Sequence, residues 1–139
     1  MKYSKFVSSS RRKCRKAHFS ASSGVLRKIL SSPLSKELRA KYNVRSLPVR
    51  KGDEIKVARG TFKDKTGIVK SVFRRKGLVY FTTGTRYKIN GNSVDVGVHP
   101  SKVYITKIFE NKDRLDLIGR KAARRESYFT KKNSKSKCS

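Results

Sequence analysis

Fourteen of the nineteen Val and Ile residues of this chain fall between positions 49 and 109. β-Branched side chains suit a pleated, half-buried surface, so this distribution confines a β domain to that span. Its most ordered stretch is VRKGDEIKVARGTFKDKTGIVKSVF, residues 49–73. Ile55 and Val57 alternate with polar neighbours and predict a strand over residues 54–58; a second strand follows over 68–73. Gly60 and Gly67 bracket the intervening loop, where glycine permits positive φ or close approach of another backbone. Thr61, Lys63, Asp64, Lys65 and Thr66 between them form a polar, cationic loop that can donate to an anion while the two strands hold it rigid.

Further strands are predicted over 77–82, 86–90, 93–98 and 102–108. The turn Asn90-Gly91-Asn92 between alternating segments is a strong hairpin signal. Five or six short strands in about sixty residues describe a mainly β unit, a small SH3-like barrel. Ile55, Val57, Val69, Val72, Val79, Phe81, Val96, Val98, Val103 and Ile105 are its expected core. A barrel of this size buries little surface and is expected to be marginal alone.

Composition divides the chain into a basic extension (1–48), the barrel (49–109) and a tail (110–139), with net charges of +12, +10 and +6. The extension reads as short helices joined by serine-rich turns. Around residues 8–17, cations would cover every face of a helix and leave no apolar stripe to bury. Ser23 is expected to cap a helix over 24–30. Ser35 is expected to cap another over 36–42, with Glu37 in the first turn, where the helix dipole favours an acid. In the tail, Leu115, Ile118 and Ala122 share one face of a helix over 112–125. From Glu126 the Lys/Ser-rich sequence is expected to be disordered.

The pattern Gly52-Asp53, Ile55, Val57, Gly60, Lys63, Gly67, Val69, Val72 resembles the KOW motif of ribosomal proteins and transcription elongation factors. The flanks SSPLSKELRAKYNVRSLPVRKGD (31–53) and VGVHPSKVYITKI (96–108) are similar to one family, the KOW-bearing large-subunit ribosomal protein, number twenty-four in bacterial naming and twenty-six in eukaryotic naming. The resemblance spans nearly all of residues 1–125. It implies an SH3-like barrel, large-subunit rRNA as partner early in assembly, and a position near the mouth of the nascent-chain tunnel. It also implies that Ser101 and Lys102 lie near RNA. Asp64 departs from the family, which commonly has glycine there; Asp tolerates the left-handed conformation.

Thirty-seven Lys and Arg against nine Asp and Glu give +28, which repels itself in a compact isolated chain. Hydrophobic residues make up 35%; exchanging Tyr for Gly in that set gives about 37%, against the roughly 45–50% of ordinary domains. A polyanion spread along the chain answers both facts, and nucleic acid is the leading candidate. Arg supplies a planar fork for phosphate and Lys a mobile point charge. The candidate rRNA-binding groups are Arg11, Arg12, Lys13, Arg15 and Lys16; Arg27 and Lys28; Lys36, Arg39 and Arg45; Arg50 and Lys51; Arg59, Lys63 and Lys65 around the loop; Arg74, Arg75 and Lys76; Arg86 and Lys88; and Ser101 with Lys102. Tyr42, Phe62, Tyr80 and Tyr87 are aromatic enough to stack on unpaired bases. Phe62 at the loop tip leads, with packing on the core equally open to it, and Tyr42 follows; Tyr80 reads rather as core. His99, held extended by Pro100, reads as a turn residue whose imidazole bonds a nearby carbonyl.

Other classes fit less well. The longest aliphatic or aromatic run is Leu78-Val79-Tyr80-Phe81, too short for a signal or a membrane span. Cys14 and Cys138 do not form a disulfide framework, which points to a reducing, intracellular setting. Cys14-x-x-x-His18 offers two of the four ligands zinc needs, so no metal and no cofactor is expected. A nuclease would need a His–carboxylate pair that nothing unites here, so no catalytic residue is assigned. A KOW-type elongation factor or an architectural nucleic-acid-binding protein is the alternative reading, although the former adds an αβ domain for which these flanks leave no space. Expected partners are large-subunit rRNA, neighbouring ribosomal proteins and nascent-chain factors at the tunnel exit, with no membrane and no homo-oligomer. The expected location is the cytosolic ribosome, with nucleolar assembly if the source is eukaryotic; the basic run 11–16 also fits a nuclear-import patch.

Overall fold

On strand β3 (Glu54–Val57), Ile55 and Val57 are fully buried while Glu54 and Lys56 are not, which is the two-residue period of a sheet with one face inward. The same alternation recurs on β5 (Leu78–Phe81), through Val79 and Phe81, and on β8 (Val103–Lys107), through Val103 and Ile105. With β4 (Thr66–Phe73) these strands form one antiparallel sheet in the order β5-β4-β3-β8. These relationships come from a computed structural model, which describes residues 2–136.

The sheet curls. Register shifts at Glu54/Ile55 and Val69/Ser71 insert the irregularities that bend strands in small barrels. An isolated bridge, Val79↔Val98, draws the chain after β7 (Ser93–Asp95) against the β5 edge. Strand β6 (Thr85–Tyr87) pairs with β7 in a separate two-stranded ribbon. The result is the small, mainly β, KOW/SH3-like scaffold expected.

The core extends beyond 49–109. Leu30, Leu34, Val44 and Leu47 are buried, as is Ile118 in helix α4 (Lys112–Ser136). Full burial of each such side chain contributes about 1.5–3 kcal/mol, so the upstream segment is a substantial part of the packing. Strands β1 (Ser31–Pro33) and β2 (Ser46–Pro48) pair antiparallel, and Leu34 bridges Ile105 in parallel. Between β1 and β2, helix α3 (Lys36–Tyr42) begins as expected: Ser35 Oγ accepts from Leu38 N–H at 3.3 Å. It ends at Asn43 with φ 52°, the left-handed conformation that Asn adopts readily.

Several expectations change. Helix α2 (Ser23–Ile29) takes Ser22 as its N-cap rather than Ser23, and no side chain caps it. The Asn-Gly signal marks a real hairpin, but β6 ends at Tyr87 and a five-residue loop follows, closed by Lys88 N–H to Asn92 O at 2.9 Å and turned by Gly91 at φ +82°. Val96 is half-buried rather than core, and Leu115 is exposed, its place against the barrel taken by Leu117 and Ile118. Helix α4 does not stop at Arg125 but continues to Ser136, since its second half lacks Gly and Pro. Helix α1 (Arg11–Phe19) buries no residue, in keeping with its cations on every face.

Candidate nucleic-acid interface

The loop from β3 to β4 is built by backbone hydrogen bonds. Val57 N–H donates to Lys65 O and Asp64 N–H to Val57 O, both at 2.9 Å, closing the stem. Gly60 at φ +104° and Asp64 at φ 64° supply the two left-handed turns, so the acid at 64 does occupy the backbone conformation that suits glycine. Gly67 serves by closeness: a Cβ there would sit 2.8 Å from Thr82 Oγ1 and 2.9 Å from Thr83 Oγ1. Arg59, Lys63 and Lys65 are exposed on this loop, and Asp64 is drawn aside to Lys56 at 3.6 Å.

The last strand brings a second cationic segment to the same place. Ala58 and Arg59 N–H both donate to Lys102 O, at 2.8 and 3.3 Å, so the loop stem abuts the 3-10 turn Pro100–Lys102. His99 Nδ1 accepts from Ser101 N–H at 3.2 Å and lies 2.8 Å from Ser101 Oγ. The imidazole thus caps this turn instead of bonding a carbonyl. Pro100, with no N–H to give, suits the turn's first position. Ser101 and Lys102 are exposed beside Arg59.

Phe62 is not free at the loop tip. Its ring meets Phe81 edge to face at 6.1 Å, packed on the core, with Lys65 Nζ 5.2 Å from its centroid. Tyr42 and Tyr80 are likewise half-buried, whereas Tyr87 is 75% exposed between Arg86 and Lys88. Phe73, edge to face with Tyr80 at 5.2 Å and 6.0 Å from Lys76 Nζ, is a half-exposed ring that the sequence did not single out. Its place at the end of β4, next to Arg74-Arg75-Lys76, is the signal that could have marked it.

All the cations assigned from sequence are exposed: those of α1, Arg27 and Lys28 of α2, Lys36 and Arg39 of α3, and Arg45, Arg50, Lys51, Arg59, Lys63, Lys65, Arg74, Arg75, Lys76, Arg86, Lys88 and Lys102. Among the described residues, ion pairs join only Lys56–Asp64, Lys70–Asp95 and Arg114–Asp53, and none of these assigned cations takes part. Arg39 Nε does donate to Leu34 O at 2.8 Å, so that group is partly committed to the fold. On the α4 side, burial lowers the pKa of Lys121, whose Nζ donates to Ser46 O at 3.0 Å.

Buried polar chemistry is concentrated at one place. Asp53 is fully buried and takes a two-point contact from Arg114, at 2.6 and 2.7 Å. It also accepts from Arg50 and Phe109 N–H. This cluster fixes the turn that carries Arg50 and Lys51. No group of three or more His, Cys, Asp or Glu able to hold a metal occurs among the described residues; Cys14 and His18 lie exposed on α1, and Cys138 lies outside the described residues. No described helix is long and apolar enough to cross a membrane.

A small β scaffold whose surface is crowded with unpaired cations has the makings of a polyanion-binding protein. The chain belongs to the family of eukaryotic ribosomal proteins L26 and their archaeal counterparts, whose model matches residues 8–121. It is 54% identical to large ribosomal subunit protein uL24 of Schizosaccharomyces pombe over 126 residues, covering 91% of this chain and all of that one. It is 50% identical to the uL24 proteins of Littorina littorea, over 95% of this chain and 92% of the relative, and of Caenorhabditis elegans, over 90% and 88%. This is a family of ribosomal structural proteins, not of enzymes.

Proposed function

We propose that this chain is a structural constituent of the large ribosomal subunit that binds and organises large-subunit rRNA during assembly. The observation that carries the reading is the set of assigned cations, all exposed and none held by a carboxylate. A fold that meant to keep these charges to itself would intersperse acids; this one leaves the neutralisation to its partner. Release of counterions from RNA phosphates supplies the favourable free energy. The barrel gives a rigid base, while α1, which buries no residue, adds five exposed cations.

The family membership supports the finer placement near the mouth of the nascent-chain tunnel, among neighbouring large-subunit proteins and within reach of nascent-chain factors. It supports equally a cytosolic ribosome, with nucleolar assembly if the source is eukaryotic. Sedimentation of tagged protein in high salt tests the reading. The protein should remain with large subunits, and crosslinks from its cations should map to a small set of rRNA nucleotides. Release into the free fraction, or crosslinks scattered over unrelated RNAs, would overturn it.

A further inference from the structure

One groove is set apart from the rest of the cationic surface by its floor. It has a volume of about 700 Å³ and opens between α2, the turn after β2, β4 and the start of α4. That volume is within the roughly 300–1,000 Å³ of pockets that take a small molecule. Leu30, Pro48, Val49, Val72 and Leu117 line it; Leu30 and Val49 are almost wholly buried, so Pro48, Val72 and Leu117 supply its exposed apolar surface. Arg27, Arg50, Lys51 and Arg74 stand around it, each exposed and none in an ion pair among the described residues.

The remaining charges at the groove are largely answered. Lys70 is held by Asp95 at 2.9 Å and Arg114 by Asp53, which leaves four free cations against one acid, Asp113. Arg50 Cζ lies 5.9 Å from the Phe109 centroid, a contact that steadies its guanidinium at the rim. The buried Asp53 cluster beneath fixes the backbone of Arg50.

An apolar floor under a cationic rim matches a molecule with a flat, weakly hydrated face and anionic links on either side. An RNA duplex lacks such a face, because its bases are paired and stacked; a single strand can turn one base outward. We propose that this groove is a socket for one unpaired RNA nucleotide, its base against Val72 and Leu117 and its flanking phosphates on Arg27, Lys51 and Arg74. This rests on the reading of the chain as an rRNA-binding protein and adds to it a class of nucleotide and a place. The surrounding surface binds by charge alone; the socket adds a requirement for an unpaired base.

The test uses the full chain with three probes: a short oligouridylate, an RNA duplex with the same number of phosphates, and polyglutamate. Ser71 lines the groove on β4 and carries no charge, so Ser71→Trp fills the socket and leaves the electrostatics untouched. Oligouridylate binding should fall about tenfold, the worth of the apolar contact that one base face loses, with duplex binding unchanged. The double variant Arg27→Ala/Arg74→Ala, two surface changes that spare the core, should lower the log–log salt slope on oligouridylate by about 1.4. Circular dichroism and thermal melts establish that both variants are folded. Equal loss on duplex and single strand, no loss on either, or polyglutamate competing as well as oligouridylate overturns the socket. Failure of the unaltered protein to bind large-subunit rRNA would instead overturn the reading beneath it, so the two failures are told apart.

Discussion

Arg114 grips Asp53 with both arms of its guanidinium, Nη1 to Oδ1 at 2.6 Å and Nη2 to Oδ2 at 2.7 Å, although the two residues are far apart in the chain. The contact ties α4 to the turn between β2 and β3. Arg114 Nη2 also reaches Pro48 O at 3.2 Å, and Asp53 takes the Arg50 and Phe109 N–H groups, so the buried carboxylate accepts four hydrogen bonds. This clasp, together with Ile118, joins the tail to the barrel.

Breaking the clasp from one side should therefore be costly. Arg114→Met leaves the Asp53 charge buried with two backbone donors alone, and should destabilise the chain by about 3–5 kcal/mol in urea unfolding. Adding Asp53→Asn should recover part of that loss by removing the unanswered charge, but not all, because an amide accepts at one atom only. A loss under about 1 kcal/mol for the single variant, well short of what an uncompensated buried charge costs, would mean that α4 does not depend on the pair.

Two glycines separate damage to the loop from damage to the fold. A Cβ on Gly84 would lie 2.6 Å from Phe81 Cε1, and Phe81 is fully buried. Gly84→Ala should force the core to shift, at about 1–3 kcal/mol. A Cβ on Gly60 would meet nothing within 4 Å, so only its φ of +104° opposes a side chain there. Gly60→Val should distort the loop, keep the β-sheet circular dichroism, and weaken rRNA binding; unchanged binding would remove this loop from the interface.

The barrel was legible because its information is local. Ile55, Val57, Val79, Phe81, Val103 and Ile105 alternate along short strands, and each proved buried. Phe62 stayed open between stacking and core because its position on a loop says nothing of the neighbouring Phe81, which arrives from another strand. The contributions of Leu34, Val44 and Leu47 were hidden for a similar reason. They sit in strands of three residues or in turns, too short for any period to show. Arg114 was readable in principle: it stands four residues before Ile118 and eight before Ala122, a cation on the apolar face of a helix. That pattern asks for a buried acid, but which acid is a matter of tertiary structure.

Cations that are free should differ in RNA binding from cations already engaged. Lys63 makes no ion pair, whereas Lys56 lies 3.6 Å from Asp64. Lys63→Ala should lower the steepness of log affinity against log salt by about one unit. Lys56→Ala should change it less, since Asp64 already offsets part of that charge. Fluorescence titrations of rRNA fragments across a salt series measure both. Equal slopes for the wild type and Lys63→Ala would place Lys63 outside the phosphate contacts.

The 3-10 turn that presents Ser101 and Lys102 is held from beneath by one hydroxyl. Ser32 is fully buried, and its Oγ donates to Pro100 O at 2.7 Å. Ser32→Ala removes the donor and strands a carbonyl in the interior, a loss of about 1–3 kcal/mol in urea unfolding. The effect should also be local. Lys102 N–H, bonded to His99 O at 2.9 Å within the turn, should exchange with solvent faster relative to the amides of β3. If global stability falls while the Lys102 amide keeps its protection relative to β3, the hydroxyl supports the core and not the turn. If both change, the upstream strand β1 is what positions the cations beside the β3–β4 loop.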